Sequence, residues 1–222
     1  MINLAIIGAA GYTGQELLEL IIDRNDINIV AITSDRLEGV ALATVSERFA
    51  TKKPLVFESN DHPRIAKLVD AVFLCLPHGI SMDVAKIYLD NNCKILDLSA
   101  DFRLKDKDIF EKWYLKKHSS YDLLAQSVYG LPELYKGKIG NADLIALPGC
   151  YPTASILSLA PIIQTGYIDL SSIVINAVSG VSGAGKKSSV EFSLGELYGE
   201  YFGYGDLIHR HTPEIEQELS LL

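Results

Sequence analysis

The N-terminal residues follow an order that few folds can accommodate: an apolar run, a glycine-rich turn, a helical pattern and a second apolar run. Residues 4–7 (LAII) are apolar and end at a glycine, and residues 8–14 (GAAGYTG) contain three glycines. Residues 15–24 carry apolar side chains at helical spacing, and residues 28–33 form the next apolar run. A strand, a helix and a second strand in this order predict the first unit of a parallel sheet.

The same alternation continues along the chain and predicts an α/β fold with a Rossmann-type doubly wound parallel sheet. Further strands are predicted at 71–76, 94–98 and 144–147, and helices at 80–90 and 151–163. Residues 101–140 mix charges, aromatics, glycine and proline, and we expect a surface excursion there.

A second apolar strand pattern at residues 173–178 predicts a further domain. We place the dinucleotide-binding domain at 1–149 and a catalytic domain, part of an α+β unit, at 150–222.

Glycines between a strand and a helix let the backbone approach a pyrophosphate, which rests on the helix N-terminus. The spacing is GxxGxxG, so Ala10 stands where the common motif has glycine. The alternative is a strand–helix turn without a ligand. The predicted dinucleotide-binding residues of this turn are Gly8, Gly11, Tyr12, Thr13 and Gly14.

The end of the second strand is where the adenosine ribose of a dinucleotide would lie. Asp35 there could bind a free 2′-hydroxyl and favour NAD, whereas Ser34 and Arg36 could bind a 2′-phosphate and favour NADP. We expect NADP.

Composition excludes several classes of protein. The chain has 222 residues, 48% of them hydrophobic, and a formal net charge of -8, which gives no attraction to nucleic acid or anionic membranes. Three cysteines, an odd number, argue against a disulfide framework and suit a reducing cytoplasm. No signal peptide or transmembrane segment is recognisable.

Cys150 lies between a predicted strand and a predicted helix, in residues 147–153 (LPGCYPT). Pro152 suits the first helical turn and places Cys150 at the helix N-terminus. The helix dipole and free N–H groups there stabilise a thiolate, and the same groups can hold an oxyanion. The alternative is a small apolar cysteine that fills a turn.

His209 and His211 flank Arg210 in a polar segment. If the segment is extended, both imidazoles point the same way, and either can act as general acid and base. We rank His211 first, and Arg210 is a candidate for binding a carboxylate. The competing interpretations are half of a metal site, which lacks further ligands nearby, and a surface loop that caps the next helix with Thr212 and Pro213.

Residues 180–187 (GVSGAGKK) imitate a nucleotide P-loop, but Lys187 stands where Ser or Thr should bind magnesium. A P-loop phosphotransferase is therefore the weaker hypothesis. The better one is a Gly/Ser loop whose amides, at Gly183 for instance, face the cofactor.

Together these segments resemble the N-acetyl-γ-glutamyl-phosphate reductases of arginine biosynthesis, which are related to the aspartate-semialdehyde dehydrogenases. The matching stretches run in order over nearly the whole chain, and PGCYPT and HRHTPE are the most specific. The others are GAAGYTG, LPHG, DLSADFR, YGLPE and SGVSGAG.

The resemblance implies that Cys150 attacks the γ-acyl phosphate, that NADPH reduces the resulting thioester, and that His211, with His209, handles protons. It places Pro77, His78 and Gly79 near the nicotinamide. It also implies that Ser99 and Arg103 bind substrate and that the protein is a cytoplasmic homo-oligomer.

Members of this family continue well past residue 222, so the resemblance implies an incomplete second domain. We expect poor activity or assembly if 222 residues are the whole polypeptide. The alternative hypothesis is a catalytically silent fragment that still binds the dinucleotide.

Overall fold

A computed structural model describes residues 1–186, 192–205 and 208–222. The chain forms two compact units, Met1–Pro148 and Gly149–Leu222. Within the described residues, no helix has the length and apolar character needed to cross a membrane.

The first unit contains a seven-stranded, entirely parallel sheet with strand order β3-β2-β1-β4-β5-β7-β6. This confirms the predicted doubly wound α/β fold. The strands are β1 Ile2–Ile7, β2 Ile27–Thr33, β3 Phe57–Glu58, β4 Ala71–Leu74, β5 Lys94–Asp97, β6 Val128–Tyr129 and β7 Leu144–Ala146.

Helices connect the strands and, in the second unit, make up the regular structure that is described. The helices of the first unit are α1 Tyr12–Ile21, α2 Leu42–Val45, α3 His62–Ala66, α4 Ser81–Leu89, α5 Lys107–Tyr114 and α6 Pro132–Ile139. Those of the second are α7 Cys150–Ile163, α8 Leu194–Leu197 and α9 Thr212–Leu219.

Both faces of the sheet are covered, because successive side chains of a strand point to opposite faces. In β1, Ala5 and Ile7 belong to one buried cluster, whereas Leu4 and Ile6 belong to the other. A continuous apolar run is therefore what the central strand of this sheet requires.

The strand order reverses between β1 and β4. The chain runs outward from β1 through β2 to β3 and then returns to β4, on the other side of β1. The loops that follow β1 and β4 therefore leave in different directions, and the crevice between them is where open α/β sheets bind ligands.

The prediction of a surface excursion at residues 101–140 was wrong. This segment contributes β6 to the edge of the sheet and buries several large side chains. Its charged residues obscured the pattern, because they are interleaved with the apolar residues that pack inward. The buried aromatic residues are Phe102, Phe110 and Tyr129.

Two predictions for the second unit also differ from the structure. Residues 173–178 form no strand, because a strand requires a hydrogen-bonded neighbour and no described residue pairs with them. Residues 174–178 are exposed, and Ile173 is half-buried. In α9, His211 rather than Thr212 is the N-cap. The face of α9 that packs against α7 buries Pro213, Glu214 and Glu218.

Candidate functional site

The glycine turn after β1 has a backbone that side chains would obstruct. Gly8 has φ +79°, and a Cβ on it would lie 2.5 Å from the carbonyl oxygen of Cys75. A Cβ on Gly14 would lie 2.6 Å from Cα of Ala9. The turn is therefore packed backbone against backbone, with glycine required at both positions.

The N-terminus of α1 is open at this turn. Gly11 is the N-cap and supplies no side-chain cap, and the backbone N–H groups of Thr13 and Gly14 have no acceptor among the described residues. Gly11, Tyr12 and Thr13 are exposed. Unengaged donors at a helix N-terminus without intervening side chains fit a pyrophosphate.

The end of β2 adjoins the same turn, since Gly8 N–H donates to Thr33 Oγ1 at 3.2 Å. Ser34 is buried, and its hydroxyl accepts the N–H of Arg36 at 3.4 Å. Asp35 accepts a hydrogen bond from Asn60. Arg36 is exposed and forms no ion pair with any residue of the described ranges.

The loop after β4 holds the predicted nicotinamide residues. Pro77 is exposed and His78 is half-buried, and His78 Nδ1 accepts the N–H of Ala100 at 3.0 Å. Gly79 has φ +82° and donates its N–H to Asp101 Oδ1 at 2.6 Å. The structure thus places this loop beside the crevice and ties it to the segment that follows β5.

A buried polar network lies where β5 ends. Ser99 donates its hydroxyl to Asp97 at 2.7 Å, and its oxygen accepts the N–H of Asp101 at 3.1 Å. Asp101 also accepts the N–H of Met82 at 3.0 Å. Burial, with the charge of Asp101 second, raises the pKa of Asp97 to about 6.

Replacing Asp97 by Asn is expected to flatten the pH dependence of stability. Because the pKa of Asp97 rises from 3.8 to about 6 on folding, the folded state binds its proton more tightly. Protonated Asp97 therefore stabilises the folded state at low pH, and this stabilisation is lost as the pH rises from 4 to 6. We expect about 1 to 2 kcal/mol less change in unfolding free energy between pH 5 and pH 8 for Asp97→Asn.

Urea unfolding at the two pH values measures this difference, and Asp122→Asn, at an exposed position, is the control. Equal pH dependence in the wild type and Asp97→Asn would contradict the assignment.

Ser99 and Arg103, predicted to bind substrate, are both buried. Arg103 donates through Nε to the carbonyl of Leu147 at 2.7 Å and through Nη2 to the carbonyl of Leu98 at 2.8 Å. Through these contacts Arg103 joins the ends of β5 and β7, and its role in substrate binding stays a prediction. Sequence could not reveal this, because an arginine that binds backbone carbonyls looks like one that binds phosphate.

Cys150 begins α7, as predicted, and is exposed. The N-cap is Gly149, with φ -67° and ψ 160°, and Pro152 lacks an N–H. The N–H groups of Cys150 and Tyr151 have no acceptor among the described residues. Two free donors beside an exposed thiol can hold both a thiolate and an oxyanion.

The other two cysteines are unsuited to nucleophilic chemistry. Burial raises the pKa of the Cys75 thiol to about 12. Cys93 is buried, its thiol donates to the carbonyls of Ala66 and Val69, and burial also raises its pKa. Cys150 is therefore the cysteine of this chain that reagents can reach.

The histidines lie beside the start of α7. The ring centroids of His209 and His211 are 4.9 Å apart, and that of Tyr151 lies 5.3 Å from His209 and 6.0 Å from His211. The backbone here is turned rather than extended, since His211 N–H donates to His209 Nδ1 at 3.2 Å. Burial, with the charge of Arg210 second, lowers the pKa of His209 and so favours its neutral, basic form.

The sequence analysis did not identify three residues of this cluster, which are Tyr151, Tyr204 and Glu214. Tyr204 donates its hydroxyl to that of Tyr151 at 2.7 Å, and desolvation raises the pKa of Tyr204 to about 12, with Tyr151 the next cause. Glu214 Oε1 accepts the N–H of Gly149 at 2.8 Å. Two of them could have been found from the sequence, because Tyr151 follows the cysteine directly and Glu214 lies in the histidine motif.

The remaining predicted residues lie at the surface of the second unit. Arg210 is exposed between the two histidines. Gly183 is exposed in a short 3₁₀ turn, Val181–Ala184. The P-loop hypothesis loses its structural context, because the described residues that lead into this turn, 173–180, form no strand. Lys187 lies outside the described residues.

Two protein-family models match successive parts of the chain. The family model described as semialdehyde dehydrogenase, NAD binding domain, matches residues 3–142. The model described as semialdehyde dehydrogenase, dimerisation domain, matches residues 150–222.

Among curated proteins, the chain is 44% identical over 222 residues to N-acetyl-gamma-glutamyl-phosphate reductase of Desulforudis audaxviator. It is 42% identical over 223 residues to the reductase of the same name from Geobacter metallireducens. In each case the match covers 100% of this chain but 64% of the relative.

Solved structures share the fold at low identity. Aspartate semialdehyde dehydrogenase II of Vibrio cholerae matches with a TM-score of 0.54 and 20% identity, over 74% of this chain and 47% of that one. The aspartate semialdehyde dehydrogenase of Candida albicans matches with a TM-score of 0.54 and 14% identity, with the same coverage. With the NAD-binding family model matching more than half of its residues, the chain belongs to the semialdehyde dehydrogenase family.

Proposed function

We propose that this chain carries the nucleophile and the dinucleotide site of an NADPH-dependent reductase that converts N-acetyl-γ-glutamyl phosphate to N-acetylglutamate semialdehyde. The observation that carries the proposal is Cys150, which is exposed at the start of α7 beside two free N–H groups. Two imidazoles pack against the ring of the next residue, Tyr151. The 41–44% identity to reductases of that name supports the choice of substrate.

In the first half-reaction, Cys150 transfers its proton to a neighbouring imidazole, and the thiolate sulfur attacks the γ-carbonyl carbon. The carbonyl oxygen becomes an oxyanion, which the N–H groups of Cys150 and Tyr151 stabilise. When the oxyanion collapses, the carbon–oxygen bond to phosphate breaks and inorganic phosphate leaves with its bonding electrons. The product is a thioester on Cys150.

In the second half-reaction, bound NADPH would supply the hydride that reduces this thioester. The same N–H pair holds the oxyanion that forms, and the carbon–sulfur bond then breaks to release the aldehyde. The imidazole returns its proton to the Cys150 sulfur, so that the enzyme is ready for the next substrate. We assign this proton transfer to His211 together with His209, whose lowered pKa favours the form that accepts a proton.

The first unit fits the dinucleotide. Its glycine turn leaves room for a pyrophosphate. The residues that we assign to NADPH binding are Gly8, Gly11, Tyr12, Thr13, Gly14, Ser34, Arg36, Pro77, His78 and Gly79. We propose NADP rather than NAD because Arg36 is exposed at the end of β2 and forms no ion pair with a described residue, whereas Asp35 accepts a hydrogen bond from Asn60.

Replacing Arg36 by Ala is expected to weaken NADPH binding by about 10- to 100-fold, because a charge-assisted hydrogen bond to the 2′-phosphate is lost. NADH has no 2′-phosphate, so its affinity should change less than about threefold. Fluorescence titration with both cofactors measures the ratio. An equal loss for NADPH and NADH would show that Arg36 does not contact the 2′-phosphate.

We also propose an oligomeric state and a cellular location for the protein. The match of residues 150–222 to a dimerisation domain supports a homo-oligomer. The three free cysteines suit a cytoplasmic enzyme. Arg210, exposed beside the imidazoles, is the residue we assign to the substrate carboxylate.

Mass spectrometry after incubation with N-acetyl-γ-glutamyl phosphate, without nicotinamide, tests the function. The expected result is one acyl adduct on Cys150 and release of phosphate. NADPH binding in a folded protein that forms no adduct would instead support a silent dinucleotide-binding chain.

A further inference from the structure

One buried carboxylate joins the first turn of α9 to the first turn of α7. Glu214 is 1% exposed, and its Oε1 accepts the N–H of Gly149 at 2.8 Å, across 65 residues of sequence. We infer that Glu214 is a positioning residue. It holds the backbone before Cys150 so that the free N–H groups of α7 stay aligned with the reacting carbonyl. This inference rests on the proposed function, because it takes Cys150 as the nucleophile.

The contact differs from the usual use of glutamate at this place in a helix. A glutamate in the first turn ordinarily bonds back to its own N-cap in a capping box, with Ser or Thr as the cap. Here the cap is His211, which makes no side-chain cap hydrogen bond. Glu214 reaches to the start of another helix, and a buried carboxylate is retained only where hydrogen bonds offset its desolvation.

The donors at the start of α7 explain what this contact does. A helix leaves its first four N–H groups without intrahelical acceptors. In α7, Glu214 binds the first of these, on Gly149, and the fourth position is Pro152, which has no N–H. The donors that remain are those of Cys150 and Tyr151. Anchoring Gly149 therefore fixes the direction of the two N–H groups that follow it.

The same side chain links the nucleophile to its base. His211 lies three residues before Glu214, in the same turn, and both are buried. A shift of the turn that carries Cys150 relative to the turn that carries His211 would break the hydrogen bond of Glu214. Glu214 thus sets the geometry of both groups.

Two reagents that react with Cys150 distinguish a loss of N–H alignment from a general loss of thiol reactivity. Acylation of Cys150 by p-nitrophenyl acetate passes through an oxyanion and needs aligned N–H donors, whereas alkylation by iodoacetamide forms none. For Glu214→Ala we expect acylation to slow about 30-fold and alkylation to change less than about fivefold, since misplaced groups cost catalysis steeply. An unchanged ratio of the two rates, in a folded protein, would overturn the inference.

Conservative and matched variants complete the test. Glu214→Gln should restore acylation to within about fivefold of wild type, since its amide oxygen still accepts from Gly149. If Gln were as slow as Ala, Glu214 would be acting as an acid or base instead. Glu214→Asp, which keeps the charge but falls short of Gly149, should match Ala and replaces it if Ala does not fold.

Glu218→Ala is the control, because Glu218 is also 1% exposed on the same face of α9 and accepts from Gln217. An equal fall in Glu218→Ala would reduce the effect to general packing. The reagents are not substrates, so the proposed function can fail, through absence of an adduct with N-acetyl-γ-glutamyl phosphate, while this inference stands.

Discussion

Replacing Cys150 by Ser is expected to lower turnover with N-acetyl-γ-glutamyl phosphate by at least about 10⁴-fold, because removal of the nucleophile has an effect of this size in other enzymes. A serine hydroxyl is far less acidic than a thiol, and the helix N-terminus that stabilises a thiolate does not ionise it. The acyl adduct should disappear from the mass spectrum. NADPH binding should remain within about twofold of wild type, since serine differs from cysteine by one atom and Cys150 is not among the residues assigned to NADPH.

Cys93→Ser is the matched control. Cys93 is buried, its thiol donates to two carbonyls, and a hydroxyl can donate to the same oxygens. Its adduct and turnover should match wild type. An acyl adduct that persisted in Cys150→Ser, or vanished in Cys93→Ser, would move the nucleophile elsewhere and end the proposed mechanism.

Replacing Gly8 by Ala is expected to destabilise the first unit by about 3 kcal/mol, through a left-handed backbone and a steric clash together. Gly8 has φ +79°, and an added Cβ would lie 2.5 Å from the carbonyl oxygen of Cys75. The clash is with backbone, so no side-chain rotation relieves it. Relief requires the turn to move away from β4, and NADPH binding should weaken with it.

Gly39→Ala separates the two causes. Gly39 also has φ +79°, but a Cβ on it would meet nothing within 4 Å. It should cost only the conformational part, about 1 kcal/mol, and leave NADPH affinity unchanged. Urea unfolding and NADPH titration of both variants provide the measurement. Equal losses would show that the close approach of β1 and β4 contributes nothing.

The glycine spacing and the apolar runs were sufficient to predict the sheet because they are local signals. Glycine at position 8 reflects a positive φ, and the run at residues 4–7 reflects a strand covered on both faces. The start of α7 at Cys150 could likewise be predicted, since proline at position 152 favours the first turn of a helix.

The sequence by itself therefore determined the doubly wound fold and the exposed cysteine at a helix N-terminus. Tertiary structure alone decided that Arg103 binds backbone carbonyls, that residues 101–140 enter the core and that Glu214 reaches Gly149. The physical reason is the distance along the chain over which each effect acts. Glycine and proline act on the backbone where they stand, whereas the partner of a buried charge can lie 65 residues away and is known only once the helices pack.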